Sequence, residues 1–287
     1  MHHFKRSSSL PLLWLLLSML SSCLNDVFTK YLTTGLPPCQ ICWFRFVLGS
    51  LVLLPIIAYH GIHTFKTSRL KLHFVRGFLL SIAMTLYAYG LTHVEMSTVT
   101  VIGFTNPIFV LILASLLLKE EIAWPIWAAS FFVFIAIVLI VKPTNVGYTL
   151  PALACLLATI IFSLLDIINK KYIKQEPILL MLFFSNLFAS FCLFPIVVHG
   201  WKTPTLFQLI ILGLLGINSN LILYFLLKAF QLSHISFLAP FRYIEFVFSM
   251  LFGYLFFQEW PTYSSFLKAG MIMAATCFVA YYQNRQR

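Results

Sequence analysis

Ten times in succession this chain runs through about twenty predominantly apolar residues, and that recurrence constrains its fold more than any other feature. The runs fall at 10–31, 40–59, 70–91, 97–118, 122–141, 148–170, 177–199, 206–227, 235–257 and 263–282. Each has the length an α-helix needs, about 20 residues at about 1.5 Å per residue, to cross a hydrocarbon core of about 30 Å. In a stretch such as LPLLWLLLSML (10–20) the apolar residues fill whole turns and leave no polar stripe for water. Such helices face lipid or one another on every side. Only 9% of the 287 residues are charged and 61% are hydrophobic. A soluble domain carries about 25% charged residues, so this chain lacks the polar surface to cover itself in water. The predicted fold class is therefore an all-α integral membrane protein of ten transmembrane helices.

The links between runs are short and rich in turn formers, as in Gly35-Leu36-Pro37-Pro38 and Lys142-Pro143-Thr144-Asn145, and none is long enough for an aqueous domain. A net charge of +11 is not a nucleic-acid signature here, because the basic residues sort by side. With the N-terminus in the cytoplasm, the inner ends receive Lys5, Arg6, Lys66, Arg69, Lys71, Arg76, Lys119, Lys170, Lys171, Lys174, Lys228, Arg285 and Arg287. The outer ends receive Lys30, Lys142 and Lys202. That asymmetry, with an even number of spans, predicts both termini inside, and membrane lipid as the surroundings. Lys5-Arg6 and Leu20-Ser21-Ser22-Cys23 imitate a signal peptide, but nothing soluble follows, so the first run is expected to stay as a helix. Cys39-Gln-Ile-Cys42 has neither a second pair nor a histidine cluster, and His60 and His63 read as loop residues. No metal or cofactor site is expected.

The second half restates the first. LSSCLNDVFTKYL (20–32) returns as FSLLDIINKKYI (162–173), with Ser22 on Ser163, Asn25 on Asp166 and Lys30-Tyr31 on Lys171-Tyr172. Residues 43–61 align with 183–200, Pro55 on Pro195, and 106–121 align with 244–259, Pro107 on Glu245. The chain thus divides at 1–145 and 146–287 into two repeats of five helices. Five is odd, so the second copy is expected upside down. Inverted repeats are a recurrent plan of secondary transporters, whose substrate sits near the midplane between the halves.

Ionisable side chains inside a span cost about 2.5–3.5 kcal/mol or more and mark function by default. Glu245 falls near the middle of the ninth run, with Arg242 three residues earlier on the same helical face, either compensating one another or turned to a ligand. Asn106, Asn218 and Asn220 lie at similar depth, and Thr85, Tyr87, Tyr89, Phe241 and Tyr243 offer aromatic or polar surface. Glu245, Arg242, Asn106, Asn218, Asn220, Tyr243 and Tyr89 form the predicted substrate site. Asn25 and Asp26 lie close to the outer end of the first run, Asp166 and Asn169 close to the inner end of the sixth. Symmetric polar groups near opposite faces suggest two gates or ion pairs, with Arg45 as the expected partner of Asp26.

Two five-helix halves, with Lys119-Glu120-Glu121 and Gln258-Glu259 after each fourth helix, resemble the EamA branch of the drug/metabolite transporter superfamily. SSCLNDVFTKYL (21–32), LLDIINKKYI (164–173), LILYFLLKAF (221–230) and APFRYIEFVFS (239–249) resemble the S-adenosylmethionine uptake transporters of bacteria that live inside host cells. The resemblance covers the whole chain. It implies import of S-adenosylmethionine across a bacterial inner membrane, in exchange for S-adenosylhomocysteine, by alternating access. The chemistry is compatible: carboxylates for the sulfonium and ammonium, a planar guanidinium for the carboxylate, an aromatic for adenine. An exporter of amino acids or other small organic metabolites on the same scaffold is the alternative. An intramembrane enzyme is not expected, because there is no His-Glu-x-x-His, no Gly-x-Ser-x-Gly and no intramembrane histidine beside a carboxylate. Gly213–Gly216 permits close helix approach within or between chains, which leaves the oligomeric state open.

Overall fold

The computed structural model describes residues 9–60, 67–93, 99, 102–141, 149–258, 260, 270, 271, 274 and 278, and all regular structure among them is helical. The helices are α1 (Ser9–Thr33), α2 (Pro38–His60), α3 (Leu70–His93), α4 (Asn106–Leu117), α5 (Trp124–Val141), α6 (Thr149–Tyr172), α7 (Ile178–Val198) and α8 (Leu206–Leu232). A short α9 (Ile235–Leu238), a 3₁₀ segment (Ala239–Ile244) and α10 (Glu245–Phe257) follow. Among the described residues seven helical runs are long and apolar enough to cross a membrane, the last being the composite Ile235–Phe257. Most of the tenth expected run, 263–282, lies outside the described residues, as do Ser97, Thr98 and Glu259.

Among the described residues, two spans depart from the continuous helices expected for them. The fourth is interrupted by a turn at Phe104 and Thr105, after which Pro107 opens α4. The ninth is interrupted by the 3₁₀ segment, with Pro240 near its start. Proline has no N–H to give the preceding turn and pre-sets the backbone angle of a first turn, so each proline sits where a helix restarts. Pro55 and Pro195, by contrast, lie inside α2 and α7, which continue through them.

Side-chain contacts sort the helix ends into two groups. At one end Gln40, at the start of α2, donates to the Lys202 carbonyl at 2.5 Å and accepts from the Lys202 N–H at 3.0 Å, joining the α1–α2 and α7–α8 turns. At the other end Thr67, before α3, donates to Glu176 in the α6–α7 turn at 3.2 Å. There too Lys170 of α6 donates to the carbonyls of Phe230 (2.5 Å) and Ser233 at the end of α8. The main packing pairs come in matched sets: α1 on α8 and α6 on α3; α2 on α8 and α7 on α3; α1 on α10 and α6 on α4; and α2 on α7.

Small and polar residues make the close crossings. Ser18, Ser21 and Asn25 form the buried side of α1 at helical spacing. Ser18 donates to the Ile222 carbonyl at 2.9 Å, and Asn218 donates to the Ser21 carbonyl at 2.6 Å. Gly216 lies against α2, where an added Cβ would come within 2.9 Å of the Gly49 nitrogen. The glycine face of α8 is therefore used inside the chain at Gly216, while Gly213 meets nothing within 4 Å. The largest apolar cluster joins Leu15 and Met19 to Ile57, Leu111, Met181 and Phe230. Leu51, Leu54, Leu153, Leu157, Phe191 and Phe194 are exposed, as a belt facing hydrocarbon requires.

Candidate functional site

The breaks in the fourth and ninth spans face a cavity of about 390 Å³. It begins at Thr33 and Pro38, at the α1–α2 end, and reaches inward to Asp166, Leu226 and Arg242. Its volume lies in the range of about 300–1,000 Å³ usual for small-molecule sites. Its walls are mostly apolar and aromatic, with a few polar groups converging from α1, α2, α4, α6 and the 3₁₀ segment.

Four of those groups are acidic or basic: Asp26, Arg45, Asp166 and Arg242. Arg242 does not pair with Glu245, because residues 239–244 wind as a 3₁₀ segment and send its guanidinium across to α6. There it donates to Asp166 Oδ2 in an ion pair. Glu245 remains in the electrostatic neighbourhood of Arg242 and of Ser22 of α1, but does not itself line the cavity. The Cys23 thiol donates to the Glu245 carbonyl at 3.6 Å and holds α10 against α1. Asp26 is exposed to the cavity. Arg45 is close enough to attract it, yet no ion pair joins the two. That corrects the expected Asp26–Arg45 pair: the charges face the same space without closing on each other.

The asparagines divide by what they touch. Asn106 donates to Ser163 Oγ at 2.9 Å, while its own Oδ1 is buried without a partner. Asn25 likewise lines the cavity with its Oδ1 unpartnered. Asn220 donates to the Gly49 carbonyl at 2.8 Å and accepts from Asn186 at 2.8 Å, tying α8 to α2 and α7. With Asn218 bonded to α1, neither Asn218 nor Asn220 lines the cavity, and both serve helix packing. Tyr243 is fully buried and donates to the Ser130 carbonyl at 3.2 Å, so it belongs to the core. Tyr89 is also outside the lining, its ring 4.5 Å from that of His93. Tyr87, two residues earlier and on the opposite face of α3, lines the cavity instead. Depth along a helix is legible from residue count, but the direction a side chain faces depends on crossings that a single run does not reveal.

None of the residues that line the cavity belongs to the α6–α7 turn. Behind Asp166 lies a space of about 110 Å³ bounded by Arg76, Asn169 and Ser185. Arg76 is 2% exposed and lines it, donating to Asn169 Oδ1 at 2.9 Å and to the Met181 carbonyl at 3.2 Å. His73 lies 3.4 Å from Glu176 Oε2, and Arg69 lies 3.8 Å from Glu176 Oε1. A histidine beside a carboxylate thus does occur, assembled from α3 and the α6–α7 turn. Arg76 carries a structural duty beyond the topological one read from its position near an inner end.

A second carboxylate was hidden in a loop. Glu120 accepts from the backbone N–H groups of Ile235 (3.3 Å) and Ser236 (3.1 Å) and from Ser236 Oγ (2.6 Å), capping α9. Burial alone pushes its carboxyl up, but the bonds from His234 and Ser236 outweigh that and hold it down at about 2. Carboxylates at a helix N-terminus satisfy donors that lack partners within the helix.

The sequence profile of the EamA-like transporter family matches this chain twice, over residues 9–142 and 149–281. An S-adenosylmethionine uptake transporter of Rickettsia conorii is 42% identical over 272 residues, which cover 95% of this chain and 92% of that protein. One from Rickettsia bellii is 41% identical over 280 residues, covering 98% and 96%. A solved crystal structure superposes with a TM-score of 0.80 at 16% identity, covering 98% of this chain and 99% of its own, and shares the fold.

Proposed function

This chain belongs to the EamA-like transporter family, and we propose that it imports S-adenosylmethionine in exchange for S-adenosylhomocysteine by alternating access. It is a multi-pass membrane transporter, not an enzyme. In this reading ten helices form two inverted halves, 1–145 and 146–287, in a bacterial inner membrane with both termini in the cytoplasm. The matched packing pairs and the two adjacent profile matches support the halves. The α1–α2 end then faces outward, and the α6–α7 end faces the cytoplasm.

The observation that carries the reading is the charged cavity between the two broken spans, which reaches the α1–α2 end and includes no residue of the α6–α7 turn. Discontinuous helices at the binding site are a recurrent device of secondary transporters, because they put backbone polar groups beside the solute. The substrate itself is drawn from the named substrate of the Rickettsia relatives. S-adenosylhomocysteine keeps the amino-acid and nucleoside ends and loses one positive charge, so one cavity serves both directions. If only the loaded carrier changes state, exchange needs no ion gradient.

The test is uptake of methyl-labelled S-adenosylmethionine by vesicles holding the folded protein, with and without internal S-adenosylhomocysteine. Saturable uptake that rises with internal product is expected. Uptake unaffected by internal product would remove the exchange, and no uptake at all would remove the substrate.

A further inference from the structure

The cavity's charged groups are not equally available. Asp166 and Arg242 answer each other, and Glu245 is not among the lining residues. Among the described residues, no hydrogen bond or ion pair reaches the Asp26 carboxylate, and Arg45 Nε is buried without a hydrogen-bond partner. The two sit on adjacent helices, attract one another and are not joined. Beside them the Asn25 Oδ1 is a further unused acceptor, in a residue only 6% exposed.

An unjoined anion and cation of this kind complement a ligand whose own cation and anion are borne on one carbon. We infer that Arg45 and Asp26 form a clamp for an α-amino-acid head group, with the carboxylate on the Arg45 guanidinium and the ammonium between Asp26 and Asn25 Oδ1. This rests on the substrate reading above and gives it a direction. The head group lies toward the α1–α2 end, and the rest of the ligand extends past Tyr87 toward Asn106 and the Asp166–Arg242 pair. An arginine fork suits a carboxylate, and a buried donor left empty costs more than one filled. Because both exchange partners carry the same head group, the clamp holds either one and does not distinguish them.

The test pairs a change in the ligand with a change in the protein. Inhibition of labelled S-adenosylmethionine uptake is measured with unlabelled S-adenosylmethionine, S-adenosylhomocysteine, decarboxylated S-adenosylhomocysteine and methylthioadenosine, in the parent protein and in Arg45→Gln and Asp26→Asn. In the parent, loss of the carboxylate should weaken inhibition at least about tenfold, as for one charge-assisted contact. In Arg45→Gln that preference should vanish, with S-adenosylhomocysteine and its carboxylate-free counterpart equally poor. Asp26→Asn should weaken S-adenosylmethionine and S-adenosylhomocysteine by the same factor and leave methylthioadenosine unchanged. If Arg45→Gln keeps the full preference for the carboxylate, the clamp is overturned while the transport reading stands. If Asp26→Asn weakens S-adenosylmethionine alone, Asp26 reads the sulfonium and the ammonium assignment is overturned. Where a variant fails to transport, thermal-shift titration of the purified protein with the same compounds gives the same comparison. A parent that binds none of the nucleosides but binds methionine through Arg45 would refute the substrate reading and keep the clamp.

Discussion

Replacing Asp166 by asparagine keeps the shape of α6 and removes the charge that Arg242 answers. The side chains are 9% and 24% exposed, so the pair is mostly withdrawn from water. Breaking a buried pair from one side costs about 3–5 kcal/mol, because the remaining charge loses its compensation. The part of Arg242 that meets cavity water puts the expected cost at the low end, about 3 kcal/mol. At about 2–4 °C per kcal/mol, the purified protein should melt about 6–12 °C lower. The double variant Asp166→Asn with Arg242→Gln removes both charges and should recover most of that loss, a coupling of about 2–3 kcal/mol. The assay is the melting temperature of the detergent-purified parent, both singles and the double, read by the loss of monodisperse protein on heating. Losses that simply add in the double, or singles that melt with the parent, would refute the pairing as a determinant of stability.

Glu120→Gln should cost about 2 kcal/mol, because an amide oxygen is a weaker cap for the N–H groups of Ile235 and Ser236. With the Glu120 carboxyl held at about 2 against an ordinary 4.5, its stabilisation is complete above about 4.5 and is lost as pH falls through about 2. The parent's acid loss of stability should therefore be shallower in Glu120→Gln across that window, as read from melting curves against pH. Gly216→Val should lower the melting temperature, since even a Cβ would come within 2.9 Å of the Gly49 nitrogen. The expected cost is about 1–3 kcal/mol for a forced shift of packed helices. Glu176→Gln should loosen the α6–α7 end, where Glu176 meets Thr67, His73 and Arg69. A cysteine placed at Ser185, which borders the space behind Arg76, should then react several-fold faster with an impermeant maleimide offered from that end.

Much of this architecture is legible in the residues, and the boundary of legibility has a physical cause. Long apolar runs specify where a helix crosses, so α1, α2, α3, α6, α7 and α8 begin and end within a few residues of their runs. Periodicity says nothing of a helix that stops and restarts within one apolar run, so the 3₁₀ segment at Ala239–Ile244 is not legible despite Pro240. The intramembrane charges identify the cavity, since Asp26, Arg45, Asp166 and Arg242 all line it. Their partners are another matter. Arg242 and Glu245 are neighbours in sequence, but the bond Arg242 makes reaches Asp166, far away along the chain. Asn218 and Asn220 have the depth of a midplane site and the azimuth of a helix crossing. Glu120 could have been found from its place: an acidic residue in a loop close to a helix start with Ser236 in its first turn is a candidate cap.

The interruption at Phe104 and Thr105 also bears on how the chain enters the bilayer. The piece after it, Asn106–Leu117, has 12 residues, about 18 Å of helix against a hydrocarbon core of about 30 Å. Such a piece is a poor candidate for independent insertion. Its first residue, Asn106, finds Ser163 in a helix that emerges from the ribosome only later. The fourth span is thus completed by a partner made after it, and its settling in the membrane waits for the second half of the chain.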